Sequence, residues 1–245
     1  MQTEVGTCLG WLREYRQDEV AGFPVLEANG AVICQTGLGR RAKDAADAVI
    51  GRYPSSVVLS IGVAGGLSPK LECGDVVICE RVDHESHRKS RAWKAGVSCD
   101  ARLVAAAMAA ATGMGLPASK GTSLTVDEPA WTETEKSAHH DWKKHEIVEM
   151  ESFWIGEAAS RAGVPFLAIR TVSDAADHAL PQTGAMQADG SFDQERFLEY
   201  IREHPESAEL VAQMADRARP AFGNLAIVLA AFVPPLVQHF ETGVR

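Results

Sequence analysis

Between residues 148 and 177 the chain gathers the side chains best suited to chemistry: Glu149, Glu151, Arg170, Ser173 and Asp174. A carboxylic acid kept neutral in a partly dry site can hand a proton to a leaving group, and Asp174 is the candidate, with Ser173 to orient it. The same Ser173-Asp174 pair can instead cap the turn that follows. Arg170 cannot lose its charge, so it suits an anion or a polar nucleophile. Glu151 can accept hydrogen bonds, whereas Glu149 reads as solvated or structural.

The elements that must position these groups can be read from the same stretch. Glu149, Met150 and Glu151 are expected to open a helix, Gly163 to cap its C-terminus, and Pro165 to bar its continuation. Phe166, Leu167, Ala168 and Ile169 form an apolar run with the length of a central strand. Arg170, Ser173 and Asp174 would then follow at its exit, and ligands of open α/β sheets bind beyond the carboxyl ends of strands.

The pairing of Val148-Glu149-Met150-Glu151 with Arg170-Thr171-Val172-Ser173-Asp174 resembles the signature of the purine nucleoside phosphorylase and methylthioadenosine/S-adenosylhomocysteine nucleosidase superfamily. The resemblance implies a single α/β domain over 1–245, with a mixed central β-sheet flanked by helices. It also implies cleavage of the N-ribosyl bond of a purine nucleoside, adenine-type and 5′-substituted, by water or phosphate. In that reaction the ribose gains positive charge and the base negative charge. Asp174 would protonate purine N7, Glu151 would receive both cis hydroxyls of the ribose, and Met150 would pack on the sugar face or simply in the core. Arg170 would bind phosphate, or orient a water together with Glu4. No metal and no organic cofactor are implied, and a homodimer or higher homo-oligomer is expected.

Other stretches extend the resemblance. Ile61-Gly62-Val63-Ala64-Gly65-Gly66-Leu67 follows an apolar strand at 56–60 and is similar to the family's loop, in which Ala64, Gly65 and Gly66 let the backbone approach a ligand. Val63 stands where the nucleosidases often carry a hydroxyl. Pro129 falls near the family's aromatic base-stacking position, and Trp131, two residues on, either stacks on the base or packs ordinarily. Gly37, Gly39 and Arg40, before a helix at 42–50, either cradle a phosphate or make a tight turn. An Asn29-Gly30 turn predicts a hairpin over 25–36, and Asp100 is expected to cap a helix over 100–113. His84 and His87 read as solvated loop residues, and 132–142 as a charged surface helix. Helices are expected at 193–204 and 207–231, broken at Pro205 and strained at Pro220. This longer C-terminal part resembles a hopanoid-associated phosphorylase branch, which would act on an adenosyl-lipid.

Composition narrows the classes. The chain has 245 residues, 46% hydrophobic and 23% charged, as in a soluble globular protein. A net charge of −9 argues against a nucleic-acid surface, which needs clustered Lys and Arg. Cys8, Cys34, Cys73, Cys79 and Cys99 are scattered, odd in number and without C-x-x-C spacing. They predict reduced thiols in a cytoplasmic protein rather than a metal site or a disulfide framework. The apolar run at 225–233 is far shorter than the ~20 residues a membrane span needs, so a buried helix or an oligomer contact is expected there. A binding protein that has kept the fold without catalysis is the rival reading. Val63 and Pro129 favour it, and Glu151, Arg170 and Asp174 oppose it.

The family begins with an apolar strand before the residue matching Glu4, and a helix is expected from there to about residue 16. Here only Met1-Gln2-Thr3 precede Glu4, too few for a strand of ordinary length. A form extended upstream by roughly a strand's length is therefore expected to be more stable and more active. Equal melting temperature and turnover in the two forms would show that Glu4 is not the nucleophile's partner.

Overall fold

The computed structural model describes residues 6, 14–28, 30–88 and 96–241. Glu4 and Cys8 lie outside them, as does most of the N-terminal helix expected from the sequence. Arg16 belongs not to that helix but to strand β1 (Arg16–Val20), which pairs antiparallel with β2 (Phe23–Ala28). Ala21 and Gly22 both take positive φ, 52° and 84°, as a two-residue type I′ hairpin turn requires. The second hairpin is the predicted one. β2 pairs with β3 (Ala31–Cys34) with Ala28 opposite Ala31, and Gly30 has φ 75°; Asn29 lies outside the described residues.

The main sheet contains β4 (Val58–Gly66), β5 (Val76–His84), β6 (Val97–Ser98), β7 (Ala118–Thr125), β8 (Ile147–Glu149) and β9 (Phe166–Asp174). Their order is β6-β5-β7-β8-β4-β9. Parallel and antiparallel pairs mix, as expected. The sheet also closes on itself, which the sequence did not suggest. Val76, Val77 and Ile78 pair with Ala118, Ser119 and Lys120 on one side and with Thr171, Arg170 and Ile169 on the other.

The longer helices among the described residues are α1 (Arg41–Arg52), α2 (Ala101–Gly113), α3 (Glu133–Lys143), α4 (Ser152–Ala162), α5 (Gln194–Glu203) and α6 (Ala208–Glu241). The Asp100 side chain accepts from the amides of Arg102 and Leu103, and Gly163 closes α4 with φ 68°. α6 differs from expectation: it runs unbroken through Pro220, Pro234 and Pro235. Tertiary packing outweighs the lost ladder bonds. Leu225, Val228, Leu229, Phe232 and Val233 are buried, and Asn224 Nδ2 donates to Gly74 O at 2.7 Å. By length and composition alone α6 would suit a membrane span, yet these residues join the apolar core with Val76–Ile78 and Phe166–Ile169.

His84 is not a solvated loop residue. It ends β5, is buried, and donates or accepts at Ser86 and Asp127. Its neighbour Asp83 ties β5 to the end of α3, accepting from Arg81, Lys143 and His145. Burial pushes the Asp83 carboxyl up, but His145, Arg81 and Lys143 outweigh it and hold the group well below the usual carboxylate range. A carboxyl depressed on folding stabilises the native state above its unfolded value, and that contribution is lost as pH falls. Asp83→Asn is therefore expected to lower the melting temperature most near neutral pH. The gap from the parent should narrow as pH falls below about 4. A gap that is constant with pH would exclude this role.

Candidate active site

A cavity of about 300 Å³ opens where β4, β8 and β9 meet the start of α4. Its lining includes Ala64, Gly65, Pro129, Glu149, Met150, Glu151, Arg170, Ser173 and Asp174, so most of the residues singled out in the sequence meet around one space.

Residues 148 and 149 do not open a helix. They form the short strand β8, and α4 begins only after Glu151. Glu149 is consequently buried rather than solvated. Its Oε2 accepts from the amides of Glu151 (3.0 Å) and Ser152 (2.7 Å), and from Arg170 Nη2 at 2.8 Å. Burial pushes its carboxyl up. The Arg170 guanidinium, the Thr125 hydroxyl and the Ser152 amide outweigh that and leave it below the usual range. Glu149 is thus an ionised anchor. Glu151 is less enclosed: Oε1 accepts from the Gly39 amide at 3.1 Å, and Oε2 lies 3.9 Å from Arg170 Nη2.

Arg170, Ser173 and Asp174 lie within β9 rather than beyond it. The pairing of β4 with β9 slips between Ala64 and Gly65: Ala64 faces Val172 and Gly65 faces Asp174, which leaves Ser173 as the extra residue. Such a bulge re-aims side chains, and here Ser173 and Asp174, adjacent in sequence, line one cavity. Ser173 Oγ donates to Asp174 Oδ1 (2.6 Å) and lies 3.2 Å from Ala64 O. The glycines serve this arrangement. A Cβ on Gly65 would come within 3.0 Å of Asp174 Oδ2, and one on Gly66 within 3.3 Å of Asp174 O. They make room for the acid itself, a nearer demand than the approach of a ligand.

Two alternatives that the sequence leaves open narrow, and one expectation is displaced. Trp131 is absent from the cavity lining, where Pro129 and Ala130 stand instead; its carbonyl accepts from Leu180 and its amide donates to Glu135. Gly37, Gly39 and Arg40 do not line the cavity either. The Gly39 amide is taken by Glu151, and Arg40 is exposed, with its guanidinium 5.5 Å from the Trp154 ring centroid. Lys136, expected on the surface, is wholly buried and touches Asp174. Its neighbours in α3 are polar, so no sequence period marked it.

Ser60 was also missed. It sits within an apolar strand, lines the cavity, and its hydroxyl accepts from Arg170 Nη2 at 3.0 Å. Cys34 borders the same space, but burial pushes its thiol up to about 11, so it is no nucleophile at neutral pH. Cys73, Cys79 and Cys99 are likewise free. Among the described residues, no group of three His, Cys, Asp or Glu side chains is placed to hold a metal ion.

A closed mixed sheet with a carboxylate–arginine–carboxylate cavity at its strand ends defines a class. The chain belongs to the phosphorylase superfamily, whose family model matches residues 22–225. It is 25% identical over 232 positions to a 5′-methylthioadenosine/S-adenosylhomocysteine nucleosidase of Marinomonas sp. (strain MWYL1), covering 87% of this chain and 94% of that protein. A protein of the same description from Geobacillus thermodenitrificans (strain NG80-2) is 29% identical over 239 positions, covering 87% and 92%. Among solved structures, the nucleosidase of Neisseria meningitidis in complex with methylthio-immucillin-A superposes with a TM-score of 0.74 at 22% identity, over 96% of each chain. The futalosine hydrolase of Helicobacter pylori gives 0.68 at 16% identity, over 94% of this chain and 95% of that one.

Proposed function

We propose that this protein cleaves the N-ribosyl bond of an adenine-type, 5′-substituted nucleoside. The observation that carries the reading is the convergence of Glu151, Arg170 and Asp174 on one cavity in a chain of this superfamily. The named substrates of its relatives supply the nucleoside class.

The division of labour follows from charge. Asp174 donates a proton to the base as the bond breaks, so the base leaves neutral. Glu151 accepts from the ribose hydroxyls and places negative charge beside the cationic sugar. Met150 offers its thioether to the sugar face. Arg170, with Ser60 and Glu149 on it, lines the cavity as the fixed cation toward which a polar nucleophile is drawn. Water is favoured over phosphate, because Glu151 occupies the Gly39 amide and Arg40 stands outside the cavity. Product analysis with 5′-methylthioadenosine tests this directly: free methylthioribose, unchanged by added phosphate, is expected. Formation of the 1-phosphate would assign a phosphorylase.

An adenosyl-lipid substrate is a second reading, and one observation favours it. A further cavity of about 450 Å³, walled by Val49, Ile50, Leu229, Val233 and Leu236, shares Cys34, Leu59, Ile61 and Ile155 with the first. Comparing kcat/KM for nucleosides with short and long alkyl groups at the 5′ position distinguishes the two. Assembly as a homodimer or higher homo-oligomer, in the cytoplasm, belongs to the same proposal.

Two substitutions test the roles. Asp174→Asn is expected to lower kcat by ~10²-fold or more while ligand binding survives; a variant within threefold of the parent would sink the assignment. The parent should discriminate against 2′-deoxyribosides, and Glu151→Gln should erase most of that preference together with most of the turnover. Equal kcat/KM of the parent on both sugars would refute the role of Glu151.

A further inference from the structure

Lys136 is the one charged side chain of α3 that points wholly inward; its neighbours Glu133, Thr134, Glu135 and Ser137 are exposed. Its ammonium has three hydrogens and three acceptors. Nζ lies 2.5 Å from Asp174 Oδ2, 2.8 Å from Ala175 O and 2.8 Å from His178 O. Burying an ammonium is costly unless its partners satisfy it, so such a residue persists in a site only where its charge is compensated. The helix that delivers it is fixed at its start by a full capping box: the Thr132 hydroxyl accepts from the Glu135 amide, and Glu135 accepts from the Thr132 amide. Lys136 follows immediately, one turn into that helix.

The second oxygen of Asp174 is also taken, by Ser173 Oγ. The carboxyl plane is therefore set from two sides, by an ammonium on Oδ2 and a hydroxyl on Oδ1. The two carbonyls that Lys136 also holds belong to the turn just after β9, which fixes the backbone that carries the acid.

We infer that Lys136 is a positioning residue for proton donation: it holds the Asp174 carboxyl and stabilises the carboxylate left when the proton goes to the base. This rests on Asp174 acting as the acid. The acid is the protonated Asp174 of the nucleoside complex: when its proton moves to the ring nitrogen and the glycosidic electron pair departs with the base, a negative charge appears on the carboxyl. An ammonium in contact with it favours that change by charge alone, and more strongly in a water-poor site. A merely structural lysine would affect all substrates alike. A lysine acting through the acid matters only when the leaving group needs a proton.

The test uses that difference. The ratio of kcat/KM for 5′-methylthioadenosine to that for 4-nitrophenyl riboside, whose phenolate leaves unprotonated, is measured on the same sample. The ratio does not depend on how much of the sample is folded. Lys136→Met is expected to lower it about tenfold or more, the order of magnitude of acid catalysis. Adding Lys136→Met to Asp174→Asn should change it less than about twofold, because the two residues act as one unit. Should the methionine variant fail to fold, Lys136→Arg keeps the charge but not the three-acceptor geometry, and a smaller fall in the same ratio is expected. A ratio unchanged by Lys136 substitution while Asp174→Asn lowers it overturns the inference. A ratio unchanged by Asp174→Asn overturns the acid assignment itself.

Discussion

The ion pair between Glu149 and Arg170 is the constraint on which the rest of the site depends. Both side chains are 2% exposed. Two buried charges are tolerable only as partners, and deleting one of such a pair typically costs about 3–5 kcal/mol. β8 and β9 do not touch as neighbouring strands, since β4 lies between them. The pair ties them across β4. The same Glu149 oxygen also receives the first amides of α4, so one carboxylate fixes a strand, the start of a helix and the amide of Glu151. The Glu151 carboxylate and the Arg170 guanidinium beside it are thereby aimed by one buried carboxylate.

Much of this was legible from residue types. Glu151, Arg170, Ser173 and Asp174 stood out by chemistry and by motif, and the structure brings them together. Asp100 and Gly163 cap their helices as their side chains predict. What could not be read has physical causes. β8 is three residues long, too short to show a period, and it runs into a helix whose first turn shares its residues' chemistry. β1 is charged and mostly exposed, held by the turn at Ala21 and Gly22 rather than by an apolar face. α6 survives three prolines because one stripe of it, Ala221, Leu225, Val228, Leu229, Phe232 and Val233, is buried, a tertiary effect that local propensity cannot carry. Lys136 looked like a surface residue because the residues flanking it in sequence, Glu133 to Glu135 and Ser137, are exposed.

Trp131 shows the limit of transferring a position by resemblance. Trp131 stands outside the cavity lining, and Pro129 and Ala130 hold that wall instead. The motif fixes where the backbone goes more firmly than which side chain fills the gap.

The closed ring of strands also bears on how the molecule comes into being. β9 pairs with β4 across a separation of about a hundred residues and with β5 across nearly as many, and such non-local pairings form slowly because the intervening chain must first be closed into a loop. Arg170, Ser173 and Asp174 are all on that strand, and the partners that give them their geometry are on the strands it meets. No half-assembled chain contains even a crude version of the cavity. Turnover is thus a more demanding reporter of completed folding than helix content, because the helices can form from local contacts before the ring has shut.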